Sequence, residues 1–308
     1  MTAAQPARPA WAIPGAHGAA VQVRRWFEGA RPKTLGAAVA PVVVGTAAAS
    51  LDGPVRWWRA LGALVVALAL QVGVNYANDY SDGVRGTDEH RRGPVRLVAG
   101  GLASPRAVRN AALIAFSVAA VAGTVLSVAV DPWLLLVGAA AVLAAATYTG
   151  GPKPYGYAGL GELMVLVFFG FVATVGSAYV QHETIPAEAW LGALAVGLPA
   201  CAILLANNVR DVDTDRDAGK RTLAVRLGAP VARRCYVACL VGALAAVVAC
   251  AVLQPPASVA LLAAPLAVPL ARTMLTRSDP PALISVLVGT SRFELVVGVL
   301  LAAGLAVA

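Results

Sequence analysis

The chain has 308 residues, of which 59% are apolar and only 13% charged, with a mean hydropathy of +0.73. Water-soluble domains carry about 25% charged residues, so a soluble fold is excluded; the few charges cluster and leave uncharged stretches of the ~20 residues that span a bilayer. The net charge of +8 would suit a nucleic acid, but the basic residues lie between apolar stretches rather than on a polar domain, so no nucleic-acid partner is expected.

In chain order, residues 1–20 are rich in Ala, Pro and Gly and lack a contiguous apolar run with a cleavage site. They read as a disordered tail, followed by one transmembrane domain over 21–308. Apolar spans are predicted at 34–50, 57–79, 107–130, 132–149, 157–180, 190–209, 232–253, 257–275 and 291–308, nine in all. With the N-terminus in the cytoplasm, nearly all Lys and Arg fall on one side: Arg24, Arg25, Arg31 and Lys33, then Arg85 to Arg109, Lys153, Arg210 to Arg234, and Arg272 with Arg277. The opposite loops hold only Arg56 and Arg59, a positive-inside pattern. Residues 281–289 read as a cytoplasmic surface helix, because one helix running on from there would carry Arg292 and Glu294 toward mid-bilayer, where charge is expensive. Cys201, Cys235, Cys239 and Cys250 lie in apolar stretches. Without a His or further Cys to complete a zinc-type set, they read as small buried hydrophobes. The Ala-rich spans permit close packing and self-association into a homo-oligomer.

Two acidic clusters stand where apolar spans meet the long cytoplasmic loops 79–106 and 210–234. In the first, Asn75, Asn78, Asp79 and Asp82 recur at spacings of three and four, hence on one helix face; Gly83 and Gly86 then end the helix so that Asp88 can fold back toward the same ion. In the second, Asn207, Asp211 and Asp215 repeat every four residues, with Asn208 beside them and Asp213 and Asp217 off the strip. Carboxylates at a bilayer edge need a cation, and oxygen-only ligation selects a hard ion such as Mg²⁺, usually held by one or two carboxylates plus substrate phosphates. Two facing strips would grip one diphosphate, with Arg85, Arg91, Arg92, Arg96, Lys220 and Arg221 available to its remaining oxygens.

A third constellation, Tyr148-Thr-Gly-Gly-Pro-Lys153-Pro-Tyr155-Gly-Tyr157, is a Gly/Pro-broken turn on the same side. Its phenols either stabilise a carbocation or form an interfacial aromatic belt. Glu162, one turn inside the next span, needs a partner or a role at that depth. No Walker A, GxSxG or HExxH pattern occurs, so nucleotide hydrolysis is not indicated.

Over roughly residues 30–301 these motifs resemble the UbiA superfamily of intramembrane aromatic prenyltransferases. The family's Asn-Asp-x-x-Asp-x-x-x-Asp motif is matched by Asn78, Asp79 and Asp82, although here five residues rather than three precede the last acid, Asp88. Its Asp-x-x-x-Asp motif is matched by Asp211 and Asp215, and its Tyr/Lys turn by Tyr148 and Lys153. The longer first motif, the Tyr148–Tyr157 run and Asn207-Asn-Val-Arg-Asp-Val-Asp-Thr-Asp-Arg-Asp-Ala-Gly-Lys-Arg-Thr222 are similar to the 1,4-dihydroxy-2-naphthoate polyprenyltransferase branch of menaquinone synthesis.

The resemblance implies an all-α integral membrane fold, nine helices around a central cavity with two cytoplasmic cap loops and a lateral opening for a polyprenyl tail. It implies Mg²⁺, with Mn²⁺ as a substitute, on Asp79, Asp82, Asp88, Asp211 and Asp215. Lys153 and Tyr148 would join in catalysis, and Asn75, Asn78, Arg85, Arg96, Asn207, Asn208, Lys220 and Arg221 in substrate binding. Donor and acceptor would be a polyprenyl diphosphate and 1,4-dihydroxy-2-naphthoate. The ring carbon bearing the carboxylate would attack the allylic cation, and CO₂ and a proton would leave to give demethylmenaquinone. The expected location is a bacterial cytoplasmic (inner) membrane with the site on the cytoplasmic face. Alternatives are another aromatic acceptor of the 4-hydroxybenzoate or homogentisate type, a non-catalytic quinone-binding scaffold, or a divalent-cation transporter. Transport is disfavoured because its acids should sit near the midplane.

Overall fold

The computed structural model describes residues 19–87 and 96–308. The described residues form helices joined by turns and short irregular loops, without strands. An amphipathic helix α1 (Ala19–Gly29) leads through a tight turn into α2 (Gly36–Ala49), the pair bending by 52°. Then come α3 (Trp57–Arg85), α4 (Pro105–Ala129), α5 (Leu134–Thr147), α6 (Gly161–His182, with a π-helical stretch Leu166–Val172) and α7 (Ala187–Arg210). Two short helices, α8 (Val212–Asp217) and α9 (Leu223–Leu227), precede α10 (Ala229–Leu253), α11 (Pro255–Thr276) and α12 (Pro280–Ala306).

Each predicted span falls on a helix. Among the described residues seven helices are long and apolar enough to cross a bilayer, or eight if α1 and α2 form one bent span, while α5 is an apolar helix of 14 residues. Residues 19 and 20, expected in the N-terminal tail, lie in α1; residues 1–18 lie outside the described residues, as do Asp88, Arg91 and Arg92.

The final helix corrects the sequence reading. Instead of a surface helix and a separate span, α12 is continuous from Pro280. Asp279 caps it by accepting from the Ala282 backbone N–H at 3.1 Å, and Pro280 and Pro281 occupy the first turn, where a missing N–H costs nothing. Glu294 is then fully buried between helices while Arg292 is exposed, so the two charges part to opposite sides of one helix rather than marking its end.

α7 is the most buried of the long helices, and α2, α6, α10 and α12 pack around it. Their shared core is built from small side chains, among them Ala40, Ala195, Ala202, Ala206 and Ala246, with Leu205, Leu240, Phe293 and Leu301 filling between. A second cluster (Tyr76, Leu97, Ala103, Val108, Ala112) joins α3, α4 and the segment after residue 96, and Trp26 of α1 meets Tyr76 edge-on at 5.7 Å. Small residues let helix backbones approach closely where lipid supplies no hydrophobic drive. Gly45 is the tightest such contact: a Cβ there would stand 2.0 Å from the Thr174 carbonyl oxygen on α6.

Gly45→Leu should therefore force α2 off α6 and cost about 2–3 kcal/mol, read as a lowered Tm in detergent; an unchanged Tm would show that this contact does not set the helix spacing.

Candidate active site

The acidic ends of α3 and α7 meet at one end of a cavity of about 1200 Å³. Along α3 its wall runs from Ala63 to Asp82, about 28 Å at the helical rise. The shaft is walled largely by apolar side chains such as Leu70, Val74, Val142, Phe168 and Val172, whereas its head gathers Asn75, Asn78, Asp79, Asp82, Asn207, Asn208, Asp211 and Asp215. A deep apolar shaft ending in carboxylates is built for an amphiphile with a polar head that binds cations.

Each acid is held by a different part of the surrounding loops. Asp79 is buried and accepts backbone N–H bonds from Leu97 at 2.8 Å and Val98 at 2.9 Å, fixing the returning loop to α3. Asp82, also buried, accepts from the Tyr157 hydroxyl, and Lys220 Nζ stands 3.5 Å from the same oxygen and 4.8 Å from the centre of the Tyr157 ring. The Arg221 backbone N–H donates to the Tyr157 carbonyl at 2.8 Å, so the 155–158 turn and the second loop close over Asp82 together. Burial, and after it the charge of Asp82, push the Tyr157 phenol up from its usual range; burial pushes Tyr155 up to about 12. Tyr157 therefore stays a hydrogen-bond donor at ordinary pH.

On the second strip, the Arg210 guanidinium grips Asp211 with two bonds, at 2.7 and 2.6 Å, and reaches Asn207 Oδ1 at 2.8 Å. Both charged side chains are almost fully buried, and a bidentate pair is the geometry that offsets their desolvation best. Asp211 interrupts the helix with φ −98°, yet its carbonyl accepts from the Asp215 N–H at 2.8 Å, so the four-residue strip survives the break. Asp213 and Asp217 are exposed, off the strip as expected, Asp213 pairing with Arg216.

Other predicted site residues divide. Asn75, Asn78, Arg96, Tyr148, Asn207, Asn208 and Lys220 line the cavity with the four acids. Asn75 donates to the Ala30 carbonyl at 2.9 Å, and Asn78 accepts from Thr149 at 2.7 Å, so both also hold neighbouring segments in place. Tyr148 stacks edge-on with Tyr155 at 5.4 Å. Lys153 is exposed and not part of the wall, whereas Lys220 stands beside the first strip. Arg85 is exposed too, and its guanidinium clamps the Thr149 and Gly151 carbonyls, fastening the turn that carries Tyr148. Arg221 contributes backbone to the cap rather than side chain to the cavity.

Two residues were not singled out as site residues from sequence. Arg31 lines the cavity in a left-handed conformation (φ 56°), with its Nη2 buried and without a hydrogen-bond partner. Backbone strain of that kind concentrates at functional sites. Glu162, whose role was open, accepts from Asn208 at 2.8 Å. That bond turns the Asn208 amide nitrogen away and leaves its carbonyl oxygen for the cavity. The only available signal for Arg31 was a cation next to a proline at the start of a span.

Among the described residues no three His, Cys, Asp or Glu side chains gather closely enough to hold a metal alone. The donors at the cavity head are nonetheless all oxygen, on two separate strips, and that set fits hard ions completing their shells with water and substrate phosphate.

Residues 38–306 match the UbiA prenyltransferase family. The 1,4-dihydroxy-2-naphthoate octaprenyltransferase of Mycobacterium tuberculosis is 51% identical over 246 residues, covering 79% of this chain and 83% of that one. The protein of the same name from Escherichia coli is 39% identical over 298 residues, covering 92% and 96%. Among solved structures, an apo UbiA homologue from Aeropyrum pernix superposes with a TM-score of 0.68 at 18% identity, covering 89% of this chain and 97% of that one. A UbiA homologue from Archaeoglobus fulgidus bound to GPP and Mg²⁺ gives 0.62 at 13%, covering 90% and 99%.

Arg85→Ala should free the 148–157 turn: hydrogen exchange of its backbone amides should rise at least about tenfold, the equivalent of losing ~1.4 kcal/mol of local stability, with α7 unchanged. Unchanged exchange in the turn would refute the clamp.

Proposed function

The chain belongs to the UbiA prenyltransferase family, and on that premise we propose that it transfers a polyprenyl group from a polyprenyl diphosphate to 1,4-dihydroxy-2-naphthoate with loss of CO₂. One observation carries this reading: a long apolar shaft closed at one end by two oxygen-only acidic strips, in a chain half identical to a naphthoate octaprenyltransferase.

Asp79 and Asp82 from α3 and Asp211 and Asp215 from the α7–α8 junction would hold Mg²⁺, with Asn78 and Asn208 oxygens beside them and Mn²⁺ as a hard substitute. Bound there, the metal neutralises charge developing on the leaving diphosphate. The chain's own cations do the rest of that work: Lys220, Arg96 and Arg210 surround the head of the cavity and offer N–H donors to diphosphate oxygens. The donor's C–O bond breaks with its electrons leaving on the diphosphate. The apolar shaft keeps water from the allylic cation, and the edge-packed Tyr148 and Tyr155 lend it aromatic stabilisation. The electron-rich ring carbon bearing the carboxylate then forms the new C–C bond. Release of CO₂ returns the carboxylate bond's electrons to the ring, leaving the demethylmenaquinone skeleton as its quinol.

The protein is a multi-pass membrane protein. We place the N-terminus and the site at the cytoplasmic face of a bacterial cytoplasmic membrane, as the positive-inside pattern requires. Trp57, Trp58, Trp133 and Trp190 are exposed near the starts of α3, α5 and α7, opposite the acids, where an aromatic belt would mark the second interface without deciding which side it is.

Purified protein in nanodiscs with a polyprenyl diphosphate, the naphthoate and Mg²⁺ should yield a prenylated, decarboxylated product by mass spectrometry. EDTA should abolish it and Asp82→Asn should lower the rate at least about 100-fold; diphosphate release without that product would leave the donor half and reject the acceptor. Topology is tested separately: in a background with the native cysteines replaced, Lys153→Cys should react with an impermeant maleimide in inside-out vesicles and not in right-side-out ones, and the reverse labelling would invert the assigned orientation.

A further inference from the structure

The shaft contains two glycines whose missing side chains matter to what it can accept. Gly138 on α5 and Gly176 on α6 both line the cavity, and a Cβ built at either has no heavy atom within 4 Å. Most other helical glycines here do the opposite, giving way to a neighbour: a Cβ at Gly73 would lie 2.5 Å from Phe116, and one at Gly197 2.6 Å from Gly170. Packing explains those, and it does not explain Gly138 or Gly176. Glycine in a helix interior costs about 1 kcal/mol relative to Ala, so two positions with room for larger residues and no contact to relieve call for another reason.

Their depth supplies one. Gly138 lies about 15 Å from Tyr148 along α5, and Gly176 about 20 Å from Gly161 along α6, both away from the acids. An isoprene unit has four chain carbons with bonds near 1.5 Å and so advances about 5 Å. The tail of a donor whose head is fixed at the acids thus reaches these glycines after roughly three to four units. Beyond them the wall continues through Ser127, Leu134 and Val180 toward the far interface.

We infer that Gly138 and Gly176 are chain-length determinants, keeping the deep half of the shaft open so that the tail of a long polyprenyl donor runs through the protein along the bilayer normal. The inference rests on the prenyl-transfer reading and deepens it: the donor class is one longer than about four isoprene units. A larger side chain at either position would project into the path of the tail while leaving the acidic head of the cavity untouched.

The test compares geranyl diphosphate, two isoprene units, with octaprenyl diphosphate, eight units, at saturating naphthoate and Mg²⁺ in nanodiscs. Gly176→Leu and Gly138→Leu should each lower kcat/KM for the octaprenyl donor by at least about 10-fold while geranyl transfer stays within about 2-fold, as discrimination by a filled apolar pocket requires. Gly176→Ala should lie between wild type and Gly176→Leu. Protection from thermal unfolding by the octaprenyl donor alone, without acceptor, should weaken in the same order. Geranyl transfer reports folding within each variant, and the two positions are on different helices, so one misfolded variant leaves the other to decide. Octaprenyl transfer unchanged in a folded variant, or equal loss with both donors, would overturn the inference by showing that the tail leaves the cavity above the glycines. Wild-type protein inactive with both donors would overturn the transfer reading beneath it.

Discussion

Carboxylates at the boundary between hydrocarbon and water are costly unless each finds a donor, and in this protein the donors are the loops themselves. Asp79 takes the backbone of residues 97 and 98, Asp82 takes Tyr157 and Lys220, and Asp211 takes Arg210. The cap over the cavity is thus assembled outward from the acids. The same oxygens are the ones that would bind metal and, through it, diphosphate, so a ligand entering the head of the cavity must exchange partners with the cap. Ligand binding and the packing of these loops would then share one set of interactions.

The rest of the fold follows from giving such a head a suitable shaft. α7 is the packed axis, its small side chains drawing α2, α6, α10 and α12 close, while α3, α4 and α5 stand on the far side of the cavity and bury less of themselves. The side chains facing inward are largely apolar and the polar residues are concentrated at one end, the division that the proposed donor, with its lipid-like tail and charged head, would need. Helix-end geometry ties the two together: Gly86 closes α3 in a left-handed cap just after Asp82, and Asp211 breaks the α7 line without losing the four-residue spacing.

Much of this was legible in the sequence. The spans were set by hydropathy, and the two strips by three- and four-residue spacing, because both depend on local periodicity that helices preserve. What escaped depended on partners distant in the chain. Lys153 and Lys220 are equivalent by type and side of the membrane, and only the contact between Tyr157 and the second loop decides that Lys220 faces Asp82. Arg85 looked like an anion ligand until the carbonyls of Thr149 and Gly151 were placed against it. The break expected before Arg292 came from counting charges at mid-bilayer; the capping pattern Asp279-Pro280-Pro281 was the better guide, because a bundle interior can shelter Glu294 where lipid cannot.

The shortness of α5 carries a consequence for the membrane as much as for the protein. Its 14 residues rise about 21 Å, against a hydrocarbon layer of about 30 Å. If α5 crosses the bilayer alone, the mismatch is met by local thinning, dipping headgroups or snorkelling flanking residues, at a cost of a fraction of a kcal/mol per Å. α5 is also one wall of the shaft, so a mismatch borne by this helix would fall on the cavity as well. Membrane thickness thereby becomes a physical input to this site.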